Sequence, residues 1–98
     1  MAMSNMFNPA HPGEVLKEYI PADMTIGHAA EALAITRLTL SKILNARSGI
    51  TAGLAMRLAV WLDTTPDYWL NMQTQWVLAQ ARKEGISKIK PLNRVITH

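Results

Sequence analysis

Residues 26–45 run Ile26-Gly27-His28-Ala29-Ala30-Glu31-Ala32-Leu33-Ala34-Ile35-Thr36-Arg37-Leu38-Thr39-Leu40-Ser41-Lys42-Ile43-Leu44-Asn45. Thr25 can cap a helix over Ile26 to Ala34, on which Ala29, Ala30 and Leu33 form a narrow apolar face. Thr36 offers a fresh cap soon after, and Leu40, Ile43 and Leu44 recur at helical spacing through a segment ending near Asn45. Two short helices joined by so few residues have the spacing of a helix-turn-helix. Small Ala30 stands where the two helices must nearly touch, while Leu33, Ile35, Leu40 and Ile43 fill the inside. Ala34 takes the turn position where such motifs often carry glycine.

The outward positions of the second element are then Arg37, Leu38, Thr39, Ser41, Lys42 and Asn45. A helix of this kind fits the major groove, where Arg and Lys donate to guanine, Asn pairs with adenine, and Thr or Ser contact bases or phosphates. The same spacing also occurs in helical bundles that bind no DNA. Charge weighs against that alternative: no acidic residue lies between Glu31 and Asp63, while Arg37, Lys42, Arg47 and Arg57 give the stretch a charge of +4. Carboxylates there would repel phosphate, whereas a basic run attracts it and releases its counterions.

Around this motif the chain predicts only helices. Pro12 and Glu14 mark a start, with Val15, Leu16, Tyr19 and Ile20 at helical spacing and Pro21 as the stop. The Asn45-Ala46-Arg47-Ser48-Gly49 stretch reads as a loop, and Thr51 caps a fourth helix to about Asp63, striped by Leu54, Leu58, Trp61 and Leu62. Thr65-Pro66 opens the longest helix, Pro66 to about Lys83, with Trp69, Met72 and Trp76 on one face. Leu70, Val77 and Ala81 widen its apolar surface, and Gly85 stops it. A short strand over Arg94 to Thr97 is the one β segment the pattern allows. The reading is all-α with five helices: a flexible segment 1–8, a helix-turn-helix domain 9–84 and a basic tail 85–98.

Composition bounds the rest. A chain of 98 residues with 49% hydrophobic and 17% charged residues is globular, of one-domain size, and carries no cysteine for disulfides, metal or nucleophilic catalysis. No apolar run approaches the roughly 18 residues of a membrane span, and Met1 to Phe7 has no secretory leader pattern, so a cytoplasmic setting is expected. His11, His28 and His98 lack the spacing that puts two ligands on one helical face; no metal or cofactor is expected. Glu14 with Glu18 fits a solvated face, and Asp63 with Asp67 fits carboxylates complementing a helix start. With no phosphate-binding loop or nucleophile elbow either, an enzyme is not expected. His11 can cap the first helix, and His28 faces solvent or a phosphate.

Several blocks, in order, carry a resemblance. His11-Pro12-Gly13-Glu14-Val15-Leu16, Ala30-Glu31 with Leu33, Thr39-Leu40-Ser41, Asn45-Ala46-Arg47-Ser48-Gly49-Ile50-Thr51, Met56-Arg57-Leu58-Ala59 and Trp69-Leu70-Asn71-Met72-Gln73 together resemble the HigA-type antitoxins of the Xre-like helix-turn-helix superfamily, over roughly residues 9 to 80. The resemblance implies a lambda-repressor-like five-helix domain that binds double-stranded operator DNA as a homodimer, represses its own operon and neutralises an RNA-cleaving HigB-type toxin. Two departures stand out: Ala34 replaces the usual turn glycine, and Gln75-Trp76-Val77-Leu78 replaces the Asp-Leu common after the Trp-Leu-Asn block.

The expected DNA-binding residues are Thr36, Arg37, Thr39, Ser41 and Lys42 in the major groove, with Asn45, Arg47 and Ser48 on the backbone at its edge. Thr39 and Ser41 are also candidates for phosphate. Trp76, Val77 and Ala81 are the candidate dimer or partner surface, together with the tail. Two rival readings remain: a solitary helix-turn-helix regulator without a toxin, and a protein-interaction module with weak DNA binding.

Overall fold

A computed structural model describes residues 8–92; the strand considered over Arg94 to Thr97 and most of segment 1–8 lie outside them. Among the described residues the chain forms five helices: α1 Pro12–Tyr19, α2 Ile26–Ala32, α3 Arg37–Leu44, α4 Ala52–Leu62 and α5 Pro66–Glu84. None is long and apolar enough to cross a membrane.

Each helix begins where a side chain can take up an amide that has no partner inside the helix. Thr25, Thr36, Thr51 and Thr65 all sit in extended backbone and accept from the N–H three residues on, opening α2, α3, α4 and α5. His11 does the same for α1 through its imidazole, which accepts from the Gly13 N–H. Pro12 and Pro66 follow their caps at the first helical position, where their fixed φ suits the turn.

The helix ends are less ordinary. Ala34, Ala46 and Asp63 hold φ of 58°, 58° and 55°, the left-handed region that a Cβ disfavours. After α2, the Ala34 N–H reaches the Glu31 carbonyl and the Ile35 N–H reaches that of Ala30. The same pair of bonds recurs after α3, from Ala46 to Ile43 and from Arg47 to Lys42. This is the paired closure in which a left-handed residue reverses the chain and satisfies the last carbonyls. Helix α2 therefore stops at Ala32, short of the Ala34 boundary that the apolar spacing suggested, because Ala34 is the reversal itself. Asp63 likewise closes α4 rather than complementing the start of α5, a role left to Asp67 in the first turn.

Leu16 of α1, Ala29, Ala30 and Leu33 around α2, Leu40 and Ile43 of α3, Leu54, Ala55 and Leu58 of α4 and Trp69 of α5 form one continuous core. Small Ala29 and Ala30 allow the close approach of α2 to α3, and α1 lies across α3 and α5. Trp69 is fully buried, and its indole N–H donates to the Thr64 hydroxyl at 2.8 Å, so the ring enters the core with no polar atom stranded.

Candidate nucleic-acid interface

Helix α3 buries Leu40, Ile43 and Leu44 and turns its other side outward. Arg37, Leu38, Thr39 and Lys42 are exposed along it, followed by Asn45 and Arg47, while Ser41 and Ser48 are half-buried. All the residues expected to meet DNA thus fall on α3, its cap, or the loop that leaves it.

Their hydrogen bonds divide these residues into two groups. Thr36 is committed to the helix start: its hydroxyl accepts from the Thr39 N–H at 3.1 Å and donates to the Thr39 hydroxyl at 2.8 Å. Asn45 is also engaged, donating from its side-chain amide to the Ser41 carbonyl at 2.8 Å. Among the described residues, the exposed charged ends on this face are those of Arg37 and Lys42, joined by Arg47 just beyond it.

Arg57 does something different. Its guanidinium donates to the Ala34 carbonyl at 2.8 Å and more weakly to that of Leu33 at 3.4 Å. A cation placed on the last carbonyls of α2 complements the negative end of that helix and holds the turn from outside. Of the four basic residues between Glu31 and Asp63, then, one braces the motif and three face outward.

Two residues hold the exit loop: Gln73, for which the sequence indicated no role, and His11, which caps α1 as the sequence indicated but whose link to the loop it did not reveal. Ile50 is buried, and its N–H donates to Gln73 Oε1 at 2.9 Å, which ties the loop to α5. Gly49 packs against the same amide: a Cβ there would lie 2.8 Å from Gln73 Nε2. His11, 2% exposed, accepts the Gly13 N–H on Nδ1 at 2.9 Å and meets the Trp76 ring edge-on with centroids 4.8 Å apart. Burial holds its pKa below the usual histidine value, against smaller opposing effects of Glu14 and a hydrogen bond to the Ser48 backbone. The neutral ring thus links the start of α1 to the loop behind α3. Both residues belong to blocks of the resemblance, His-Pro-Gly-Glu and Trp-Leu-Asn-Met-Gln, and that was the available signal.

On α5, Trp76 is half-buried with part of its ring taken up by His11, Val77 is 47% exposed, and Ala81 is exposed. Ala81 borders a shallow apolar groove with Leu78, Arg82, Gly85 and Ile86. Among the described residues no group of three His, Cys, Asp or Glu stands close enough to hold a metal ion.

No family model matches the chain. Individual proteins do. Antitoxin HigA-1 of Vibrio cholerae is 36% identical over 89 residues, which span 86% of this chain and 84% of that protein. An HTH-type transcriptional regulator of Haemophilus influenzae is 37% identical over 90 residues, spanning 85% of this chain and 84% of that one. Among solved structures, Pseudomonas aeruginosa antitoxin HigA with the higBA promoter superposes with a TM-score of 0.75 at 33% identity, covering 87% of this chain and 99% of that chain. These relatives are antitoxins and transcriptional regulators, not enzymes. With this identity along most of both chains and a fold that superposes on that of an antitoxin HigA, the chain belongs to the HigA-type antitoxins of the Xre-like helix-turn-helix superfamily.

Proposed function

We propose that this protein is a cytoplasmic antitoxin that binds its own operator as a homodimer, represses its operon and neutralises a HigB-type RNA-cleaving toxin. The observation that carries the DNA reading is the outer face of α3: Arg37 and Lys42 project from a capped helix that follows a tight, braced turn, in a stretch from residue 32 to residue 62 without one acidic residue. Arg37 and Lys42 read base edges, with Thr36, Thr39 and Ser41 at the groove wall. Asn45, Arg47 and Ser48 meet the phosphates at its edge. The solved relative with promoter DNA supports this use of the fold.

The homodimer follows from what repressors of this geometry require, two recognition helices about 34–36 Å apart on successive turns of the major groove. Trp76, Val77 and Ala81, with the basic tail beyond Gly85, form the partner surface on α5. Resemblance to antitoxins supports the toxin as a second partner. One alternative keeps the DNA role and drops the toxin, a solitary helix-turn-helix regulator; the similarity to an HTH-type transcriptional regulator of Haemophilus influenzae supports the regulatory part of that reading.

Fluorescence anisotropy against a labelled duplex from the chain's own upstream region, at two salt concentrations and with random competitor, tests the DNA reading. Tight, competitor-resistant binding that falls steeply with salt is expected. Binding that random DNA abolishes would leave the interaction-module reading. Co-purification with the product of an adjacent gene separates antitoxin from solitary regulator.

A further inference from the structure

Leu38 has no evident use in the fold. It lies in the first turn of α3, 65% exposed, between Arg37 and Thr39, on a helix whose apolar needs are already met by buried Leu40, Ile43 and Leu44. One turn further on, at the spacing that places two side chains on one face, comes the exposed cation Lys42. A face that presents Lys42 to DNA therefore presents Leu38 to it as well.

The polar groups around it narrow what this face can read. Thr36 is taken up by the Thr39 N–H and hydroxyl, and the Asn45 amide is turned back onto Ser41. Beside the Thr39 and Ser41 hydroxyls, which contact bases or phosphates without strong preference, the charged donors are Arg37 and Lys42, and these two suit guanine O6 and N7 or phosphate. Neither distinguishes thymine from cytosine. In the major groove the one apolar group on any base edge is the C5-methyl of thymine, and contact with an aliphatic side chain is how it is read.

We propose that Leu38 is a specificity-determining residue that packs on the methyl group of one thymine in each half-site. The inference rests on the DNA-binding reading above and names the base chemistry of that same face. Four residues of helix rise make about 6 Å, so the thymine lies within about two base pairs of the position that Lys42 approaches.

The test is a methyl-deletion scan. A duplex is selected from a random library by the full chain, and each thymine in it is replaced singly by deoxyuridine, which removes the methyl and leaves every hydrogen-bonding group in place. Wild-type protein is expected to lose about three- to tenfold in affinity at one position per half-site, the scale of one methyl group withdrawn from a contact. Leu38→Ala is expected to lose the same factor on the unmodified duplex and to be indifferent to the uracil at that position. Because Leu38 is exposed, the variant keeps its melting temperature, which circular dichroism checks. Equal binding to all uracil duplexes overturns the proposal, as does a selected site without thymine, or a uracil penalty that persists in Leu38→Ala. In those cases binding to the selected duplex still upholds the DNA-binding reading. Failure to select any duplex overturns that reading and this inference together.

Discussion

Gly13 meets the backbone of Ile43 so closely that a Cβ added to it would overlap the Ile43 carbonyl oxygen and lie 2.8 Å from the carbonyl carbon. The first turn of α1 thus rests directly on the last turn of the recognition helix. No rotamer change can relieve a clash with backbone, so Gly13→Ala must push α1 and α3 apart. Overpacking of this kind costs about 1–3 kcal/mol. The expected outcome is a melting temperature lower by several degrees and a loss of DNA affinity larger than that of an exposed substitution on α3. Thermal denaturation alongside anisotropy at a temperature where the variant is folded checks both.

His11 ties the same junction to pH. Its folded-state pKa lies below the ordinary 6.5, chiefly because burial disfavours the imidazolium. A proton would also occupy Nδ1, the atom that accepts the Gly13 N–H. The stability that neutral His11 contributes is complete above pH 6.5; as pH falls below that, the unfolded chain takes up a proton that the folded chain resists, and the contribution is lost through the folded pKa. Stability is expected to decline on acidification across that window. In His11→Asn, whose amide oxygen can still cap α1, the decline should be shallower, although the loss of the ring against Trp76 lowers stability at every pH. Denaturant titrations at pH 5 to 8 compare the slopes; parallel curves would assign the pH dependence elsewhere.

The left-handed alanines give a stabilising prediction. Ala34 and Ala46 both hold φ of 58° as they reverse the chain after α2 and α3. For an L-residue that conformation costs roughly 1–2 kcal/mol, partly offset in a glycine variant by the greater freedom of its unfolded chain. Ala34→Gly and Ala46→Gly are each expected to stabilise by about 0.5–1 kcal/mol, raising the melting temperature by a few degrees. The gains should add, since different carbonyls close the two turns.

Much of this was legible in the sequence because it is written in local rules. Thr25, Thr36, Thr51 and Thr65 mark helix starts by their own chemistry, Pro12 and Pro66 confirm two of the starts, and the periodicity of Leu40, Ile43 and Leu44 fixes which side of α3 is left outside. What was not legible depends on contacts between distant segments. Nothing near Arg57 says that its guanidinium reaches back to the carbonyls of Leu33 and Ala34, and nothing near Gln73 says that its amide holds Ile50. Trp76 reads on a helical wheel as part of a broad apolar surface, and its partner, His11, lies at the far end of the chain. Local capping likewise does not tell whether a polar side chain is free. The sequence shows Thr36, Thr39 and Asn45 only as polar side chains; that Thr36 bonds to Thr39 and Asn45 to the Ser41 carbonyl is set by the conformation.

That division makes three arginines separable by experiment. Arg37, exposed in the first turn of α3, is expected to read a guanine; Arg37→Ala should cost about 1–3 kcal/mol on the operator and relax preference at one position of each half-site. Arg47 lies beyond the helix, at the edge of the groove, so Arg47→Ala should weaken operator and random DNA alike and reduce the salt slope by about one. Arg57 bonds to carbonyls of the turn, so Arg57→Ala should lower stability by about 1 kcal/mol and leave the salt slope of the folded protein close to that of the wild type. Salt-dependent anisotropy on both kinds of duplex, with melting curves for each variant, distinguishes the three. An Arg57→Ala protein that melts normally but loses salt dependence would move Arg57 from the brace to the DNA contact.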